Sequence, residues 1–169
     1  MSFNLEIELK FKCDIKKIPF KEIEKKNELK SFYVSVNDLA EVRICTKNNL
    51  KSTLTIKSRA DSTIRDEFEY EIPIEEAEKL EQLKAGNTIY KTRYFLPVKK
   101  EECLQVWEGA CWEIDVYHGF LEGLVVAEIE IPEAIYKSTM AFKFPEWIIE
   151  DITNDLAYKN SSLATLSND

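Results

Sequence analysis

Charged and apolar residues alternate along much of this chain, as they do in β-strands that have one polar and one apolar face. The first instance is Glu6-Ile7-Glu8-Leu9-Lys10, which places two carboxylates and an ammonium on the same face. The pattern returns at residues 41–43, 55–57, 65–72, 91–93, 113–115 and 128–130. The repetition predicts a mostly β protein in which strand after strand carries a charged face with both signs present.

Turn-forming residues separate these strands at short intervals, which indicates consecutive antiparallel hairpins. Helical spacing predicts an exposed helix within residues 16–30 and others at 74–83, 132–141 and 154–166. With 169 residues the chain is expected to form one domain, residues 1–169. Eight or more antiparallel strands in such a domain should close into a barrel or a sandwich, because closure removes unpaired edges.

The direction of the charged faces is a separate question. In an ordinary sheet they point to water, but here amphipathic helices could cover the apolar faces, so that the charged faces line a barrel interior. Opposite charges must then interleave, because an unpaired buried charge is costly. The acidic side chains would suit Mg²⁺ or Mn²⁺, and the basic ones would suit phosphate oxygens. The acidic set is Glu6, Glu8, Asp115, Glu128 and Glu130, and the basic set is Lys10, Arg43, Lys57, Lys91 and Arg93.

Composition narrows the choice of ligand. The net charge of −8 opposes non-specific adhesion to nucleic acid or to an anionic membrane, so an anionic ligand must meet a local basic cluster. Four cysteines without a CxxC pair and a single histidine, His118, argue against a structural zinc site and favour reduced thiols. No run of about 18 apolar residues occurs and the N-terminus is charged, so we expect a cytoplasmic protein.

A set of motifs resembles the CYTH, or triphosphate tunnel metalloenzyme, superfamily. In chain order the motifs are Glu6-Ile7-Glu8-Leu9-Lys10 (ExExK), Glu41-Val42-Arg43, Thr55-Ile56-Lys57, Arg65 with Glu67 and Glu69, Lys91-Thr92-Arg93-Tyr94, Glu113-Ile114-Asp115-Val116-Tyr117, Glu128-Ile129-Glu130 and Tyr158-Lys159-Asn160. They are most similar to the short bacterial members that hydrolyse inorganic tripolyphosphate. The resemblance implies an α+β fold, an eight-stranded antiparallel β-barrel (the triphosphate tunnel) with a polar interior and helices packed outside.

The resemblance also implies roles for individual residues. Mg²⁺ or Mn²⁺ would be held by Glu6, Glu8, Asp115, Glu128 and Glu130. The triphosphate would be bound by Lys10, Arg43, Lys57, Arg65 and Arg93, with Lys159 as a further contact from the terminal helix. Lys91 and Tyr33 would form a catalytic pair that favours hydrolysis. The implied reaction is metal-dependent cleavage of tripolyphosphate to pyrophosphate and phosphate.

Two positions depart from the family pattern and leave alternatives open. Cys45 stands where members usually have a second basic residue after Arg43, and Ala157 precedes Tyr158 where similar members tend to have arginine. A class IV adenylate cyclase, a thiamine triphosphatase and a non-catalytic binder of polyphosphate or organic phosphates are the alternatives. A triphosphate-containing small molecule is the expected partner, without nucleic acid or membrane, and the sequence leaves a homodimer open.

Overall fold

The computed structural model describes residues 6–58, 67–102, 106–137 and 143–166, with Glu6 described by its backbone alone. The strands are β1 (Glu6–Cys13), β2 (Lys25–Val36), β3 (Ala40–Lys47), β4 (Lys51–Ser58), β5 (Glu67–Ile72), β6 (Ile89–Pro97), β7 (Cys111–His118), β8 (Val125–Pro132) and β9 (Ile148–Asp151). The α-helices are α1 (Ile74–Glu81), α2 (Glu133–Lys137) and α3 (Asn160–Leu163). Over this described part, no helix is long and apolar enough to span a membrane.

The strands are hydrogen-bonded in the order β5-β4-β3-β2-β6-β7-β8-β1-β9, and the pairs whose register is described are antiparallel. The antiparallel sheet with few helices is therefore confirmed. The eight-stranded closed barrel is corrected, because the described residues form nine strands with β5 and β9 at the two ends of the order. The strand that sequence reasoning missed is β9, a four-residue segment that pairs with β1 beside an irregularity at Lys12/Cys13.

The chain forms two compact units, which we describe separately. Unit 1 comprises residues 1–26, 93–116 and 123–154, and unit 2 comprises 27–92, 117–122 and 155–169. Strands β6 and β7 contribute residues to both units. The expectation of one domain over residues 1–169 stays a prediction.

In unit 1 the apolar face of the strands is covered and the charged face lies opposite. Trp112, Ile114 and Ile129 are buried in a core that also receives Phe11 of β1 and Trp147. Successive side chains of a strand point to opposite faces, so the charged residues of β1, β7 and β8 lie on the face away from this core. Those residues are Glu8, Lys10, Glu113, Asp115, Glu128 and Glu130.

Unit 2 follows the same rule with a smaller core. Phe32 of β2 and Ile44 of β3 pack against Ala77 of α1, so this helix covers the apolar face as expected. On the opposite face, Tyr33, Arg43 and Thr55 stand side by side across three paired strands. Phe68 and Tyr70 of β5 are 54% and 55% exposed, so the apolar face of this strand is not covered. Their strand lies at one end of the sheet order.

Two helix predictions, 16–30 and 154–166, need correction. Residues 16–30 form two 3₁₀ turns (Ile15–Lys17 and Phe20–Glu22) and the start of β2, because Pro19 interrupts the turn and residues from Lys25 onward enter the sheet. Residues 154–166 form only a 3₁₀ turn (Leu156–Tyr158) and α3. Within 132–141 the structure describes α2, and 138–142 lie outside the described residues. The helix predicted at 74–83 is confirmed as α1.

Candidate active site

The most densely charged place in unit 1 is centred on Arg93 of β6. Its Nε and Nη2 donate to the two carboxylate oxygens of Asp115 at 2.7 and 2.8 Å, a bidentate pair. Nη2 also donates to Glu128 Oε2 at 3.1 Å, and Nη1 donates to Glu113. Burial alone would lower the pKa of Arg93, but the hydrogen bonds and charges of these three carboxylates raise it above its ordinary value. Arg93 is therefore permanently charged.

Lys10 extends this cluster along β1. Its ammonium lies 2.8 Å from Glu128 Oε1 and 3.9 Å from Glu8 Oε1. The strand register places Lys10 opposite Glu128, and Glu8 opposite Glu130. Five carboxylates, those of residues 8, 113, 115, 128 and 130, thus share one strand face with two cations. The face carries an excess of negative charge.

A cavity of about 370 Å³ opens onto these carboxylates within unit 1. Glu8, Glu128 and Glu130 line it, together with Glu113 and the thiol-bearing Cys111. Burial and the charge of Glu113 raise the pKa of Cys111 above its ordinary value, so this thiol stays protonated and is a poor metal ligand. The donors that the cavity offers are carboxylate oxygens, which is the chemistry that Mg²⁺ and Mn²⁺ prefer.

The predicted metal ligands are thus partly brought together. Glu8, Glu128 and Glu130 share the cavity, and Asp115 lies beside it on Arg93. Glu6 is on β1, where only its backbone is described. In the described ranges, no three acidic, cysteine or histidine side chains converge closely enough to hold a metal ion, and Arg93 and Lys10 pair with Asp115 and Glu128. The oxygen chemistry fits a hard divalent cation, and the ligand assignment stays a prediction.

Unit 2 holds an arginine beside a tyrosine on neighbouring strands. Arg43 of β3 is paired in register with Tyr33 of β2, and Tyr33 is only 4% exposed. Burial raises the pKa of Tyr33 to about 12, although the charge of Arg43 acts in the opposite direction. At neutral pH this side chain is a phenol that can donate a hydrogen bond and is not a general base. The Nε of Arg43 is buried and has no hydrogen-bond partner among the described residues.

The other basic residues of unit 2 have different surroundings. Lys57 is half-exposed and pairs with Glu67 at 3.0 Å on the adjacent strand. Lys91 is only 6% exposed, and its ammonium lies 5.4 Å from the centre of the Tyr117 ring. Lys159 immediately precedes α3 and is half-buried. Arg65 lies outside the described residues.

Three residues near these groups were not assigned roles from the sequence. Glu113 contacts Arg93, and Tyr117 lies under Lys91 while its hydroxyl donates to Asn160 at 2.7 Å. Glu113 and Tyr117 follow the strand alternation that carries Asp115, so period-two reading of β7 would have found them. Asn160 gives no such signal, because its contact depends on where the terminal segment packs.

His118 is exposed, and its Nε2 lies 2.8 Å from the hydroxyl of Thr92, which in turn donates to Glu28. Thr92 alternates with Lys91 and Arg93 along β6, so its side chain points to the opposite face of the strand from theirs. His118 and Lys91 nevertheless line the same cavity within unit 2.

Comparison with known proteins finds relatives over most of this chain. No protein-family model matches the chain. The inorganic triphosphatase of Acetivibrio thermocellus is 39% identical over 132 residues, 78% of this chain and 76% of that protein. The inorganic triphosphatase of Nitrosomonas europaea is 30% identical over 135 residues, 79% of this chain and 80% of that protein.

This chain belongs to the inorganic triphosphatase family. A solved structure of the inorganic triphosphatase NE1496 superposes with a TM-score of 0.70 at 29% identity, covering 96% of this chain and 95% of that one. The CYTH resemblance drawn from the motifs is thereby confirmed. Membership of this triphosphatase family does not by itself assign the individual site residues.

Proposed function

We propose that this protein is a divalent-metal-dependent triphosphatase that cleaves inorganic tripolyphosphate to pyrophosphate and phosphate. The observation that carries the proposal is the 39% identity to an inorganic triphosphatase over most of both chains. The charged strand faces add a physical reason, since one unit concentrates carboxylates and the other presents arginine and lysine. A metal triphosphate contains a metal ion, which carboxylates bind, and phosphate groups, which arginine and lysine bind.

Arg43 is the side chain that best fits an incoming phosphate. A buried N–H without an acceptor costs about 1 to 3 kcal/mol, and its Nε is such a donor among the described residues. A phosphate oxygen would satisfy it with a charge-assisted hydrogen bond, which guanidinium groups make well. Tyr33 beside it can donate a further hydrogen bond from its neutral phenol.

Lysine and arginine residues would stabilise the transition state without forming a covalent intermediate. In phosphoryl transfer, negative charge spreads over the oxygens of the transferred group, and fixed cations stabilise that charge. The buried Lys91 is the proposed catalytic cation, with Lys10, Lys57, Arg43, Arg65 and Arg93 as substrate ligands and Lys159 as a further contact. Lys10 and Lys57 now contact Glu128 and Glu67, so binding would exchange a carboxylate for a phosphate.

The carboxylate face would hold the metal through Glu6, Glu8, Asp115, Glu128 and Glu130. Mg²⁺ or Mn²⁺ bound there would neutralise phosphate charge and lower the pKa of a bound water. The chain would supply these oxygen ligands, and Arg93 and Lys10 now compensate the charges of Asp115 and Glu128 through ion pairs. A cytoplasmic location and a homodimer stay predictions from the sequence.

A phosphate-release panel tests the proposal. Purified protein is incubated with tripolyphosphate, ATP or thiamine triphosphate, each with Mg²⁺ or Mn²⁺, and the products are separated. We expect release from tripolyphosphate to exceed the others. Cyclic AMP with pyrophosphate from ATP would indicate a cyclase, preferred release from thiamine triphosphate would indicate a thiamine triphosphatase, and tight binding without turnover would indicate a binder. Each of these three outcomes contradicts the proposal.

A further inference from the structure

Lys91 is buried against an aromatic ring. The side chain is 6% exposed, and Nζ lies 5.4 Å from the centre of the Tyr117 ring, within the range of a cation–π interaction. Such a contact stabilises the ammonium without neutralising it. The Tyr117 ring therefore stabilises the Lys91 ammonium and fixes one side of its position.

The ring itself is held from its far end. Tyr117 is 2% exposed, and its hydroxyl donates to Asn160 Oδ1 at 2.7 Å. A buried phenol needs such a partner, because an unsatisfied hydroxyl is costly. Asn160 is the first residue of α3, so the ring's position depends on where this short helix lies.

The terminal segment that carries Asn160 is hydrogen-bonded to the rest of unit 2 at two further points. Ser161 donates to Glu41 of β3 at 2.8 Å, and the backbone N–H of Asn87 donates to the carbonyl of Ala164 at 2.7 Å. Beside this contact Gly86 has φ +86°, and a Cβ at that position would lie 2.4 Å from the Ala164 oxygen. Only glycine allows so close an approach at this φ. The segment is therefore seated firmly enough to fix a side chain.

From these contacts we propose that Asn160 and Tyr117 are positioning residues that hold the Lys91 ammonium in place for the reaction. This inference rests on the proposed triphosphatase function for its catalytic meaning. It gives the terminal segment a second role besides the Lys159 contact expected from the sequence. It also explains why a short helix at the end of the chain is anchored by a side-chain hydrogen bond to a buried tyrosine.

The first test measures the position of Lys91 directly and does not depend on activity. Protein labelled with ¹³C-lysine is examined by NMR, and the Lys91 signal is assigned by its loss in Lys91→Arg. Protons held over a ring are shifted upfield, so we expect an upfield Lys91 signal in the wild type and in Tyr117→Phe. The shift should be lost in Tyr117→Leu and reduced in Asn160→Ala. An unchanged Lys91 signal in Asn160→Ala would overturn the positioning role of Asn160.

The second test measures turnover of tripolyphosphate. Losing the ring in Tyr117→Leu should lower kcat about tenfold, within the range measured for cation–π contacts. Losing one hydrogen bond in Asn160→Ala or Tyr117→Phe should lower kcat roughly threefold. KM should stay within about twofold in all three variants, because the ring positions Lys91, whose charge is proposed to stabilise the transition state. The matched control is Thr165→Ala, which removes an exposed hydrogen bond of the same segment and should leave kcat unchanged.

Double variants separate positioning from general destabilisation. If Asn160 acts only through Tyr117, then Tyr117→Phe combined with Asn160→Ala should be no slower than either single variant. If Tyr117 acts only through Lys91, then Tyr117→Leu should cause no further loss in a Lys91→Ala background. Additive losses in either cycle would overturn the proposal. A wild type that hydrolyses no triphosphate would instead refute the proposed function, while the NMR result would still decide whether the pair positions Lys91.

Discussion

The charged side chains have different contact partners in the two units. In unit 1, Arg93 and Lys10 are surrounded by carboxylates, and Asp115 is wholly buried in a bidentate pair. In unit 2, Lys57 makes a half-exposed pair, Lys91 lies on an aromatic ring, and the Arg43 Nε has no partner among the described residues. In the first unit both cations pair with largely buried carboxylates, whereas in the second Lys57 pairs with an exposed one and the Arg43 Nε has no described acceptor.

This difference suggests how each unit would meet a metal triphosphate. Carboxylates that outnumber their cations gain from a divalent metal, and buried donors with incomplete partners gain from phosphate oxygens. A bound metal would also relieve the repulsion among carboxylates on the unit 1 strand face. Substitutions that remove compensation in unit 1 should therefore affect folding, whereas those in unit 2 should affect substrate binding. The following four predictions test that contrast in order of decreasing effect.

The largest effect is expected from Arg93→Met. Removing this cation leaves the buried Asp115 without its charge partner, and breaking a buried pair in this way costs about 3 to 5 kcal/mol. The matched change in unit 2, Lys57→Met, breaks a pair whose side chains are 36% and 42% exposed and should cost less than about 1 kcal/mol. Urea unfolding of both variants measures the difference. Equal costs would show that the two units do not differ in this respect.

A divalent metal should stabilise the protein through unit 1. At a concentration about 100 times its dissociation constant, Mg²⁺ or Mn²⁺ adds roughly 2.7 kcal/mol to the free energy of unfolding. Thermal unfolding with and without the metal measures this gain. Glu8→Gln combined with Glu130→Gln should abolish it, whereas Glu71→Gln in unit 2 should retain it. Full stabilisation of the double variant would place the metal elsewhere.

Arg43→Met should weaken catalysis more than folding. The lost charge-assisted hydrogen bond is worth roughly 1.5 to 3 kcal/mol, which corresponds to about a 10- to 150-fold lower kcat/KM for tripolyphosphate. The free energy of unfolding should change less, because the buried Nε makes no hydrogen bond and the described side-chain contact that is lost is the one with Tyr33. Lys51→Met, which removes an exposed cation from the next strand, is the control and should retain activity. A variant with normal kcat/KM would exclude Arg43 from substrate binding.

The smallest effect concerns pH and Tyr33. Because burial raises its pKa to about 12, the folded state keeps the phenol protonated when the unfolded chain begins to ionise near pH 10. The stability due to this group is complete below about pH 10 and is lost as pH rises towards 12, by about 2 kcal/mol. Tyr33→Phe should lose this component of the pH dependence. Between pH 6 and 9, Tyr33 should contribute no titration to the rate profile.

Sequence alternation predicted the two-faced strands well. Glu8, Lys10, Asp115 and Glu128 share a strand face because period-two spacing is a local property that pairing preserves. The helix at 74–83 was also readable, since Ala77 and Leu80 mark its buried face. The family itself was identified from motif order and is confirmed by the triphosphatase relatives.

The features that could not be predicted from the sequence depend on contacts between residues that are distant in the chain. Residues 25–30 have helical spacing but belong to β2, whose described pairing with β3 begins at Leu29, because tertiary pairing outweighs local preference. Closure of the sheet depends on whether its two end strands, β5 and β9, pair with each other. No local sequence pattern in either strand predicts that pairing. Arg93 was expected to bind phosphate, yet its described contacts are the carboxylates of residues 113, 115 and 128, which converge only after folding. Its predicted phosphate contact stays a prediction.

The most direct test of the whole account is ³¹P NMR of tripolyphosphate incubated with the wild-type protein and Mg²⁺ or Mn²⁺. The account predicts that the tripolyphosphate signals are replaced by those of pyrophosphate and phosphate, and that EDTA stops the conversion. Persistence of tripolyphosphate with either metal, or conversion that continues unchanged in EDTA, would contradict it.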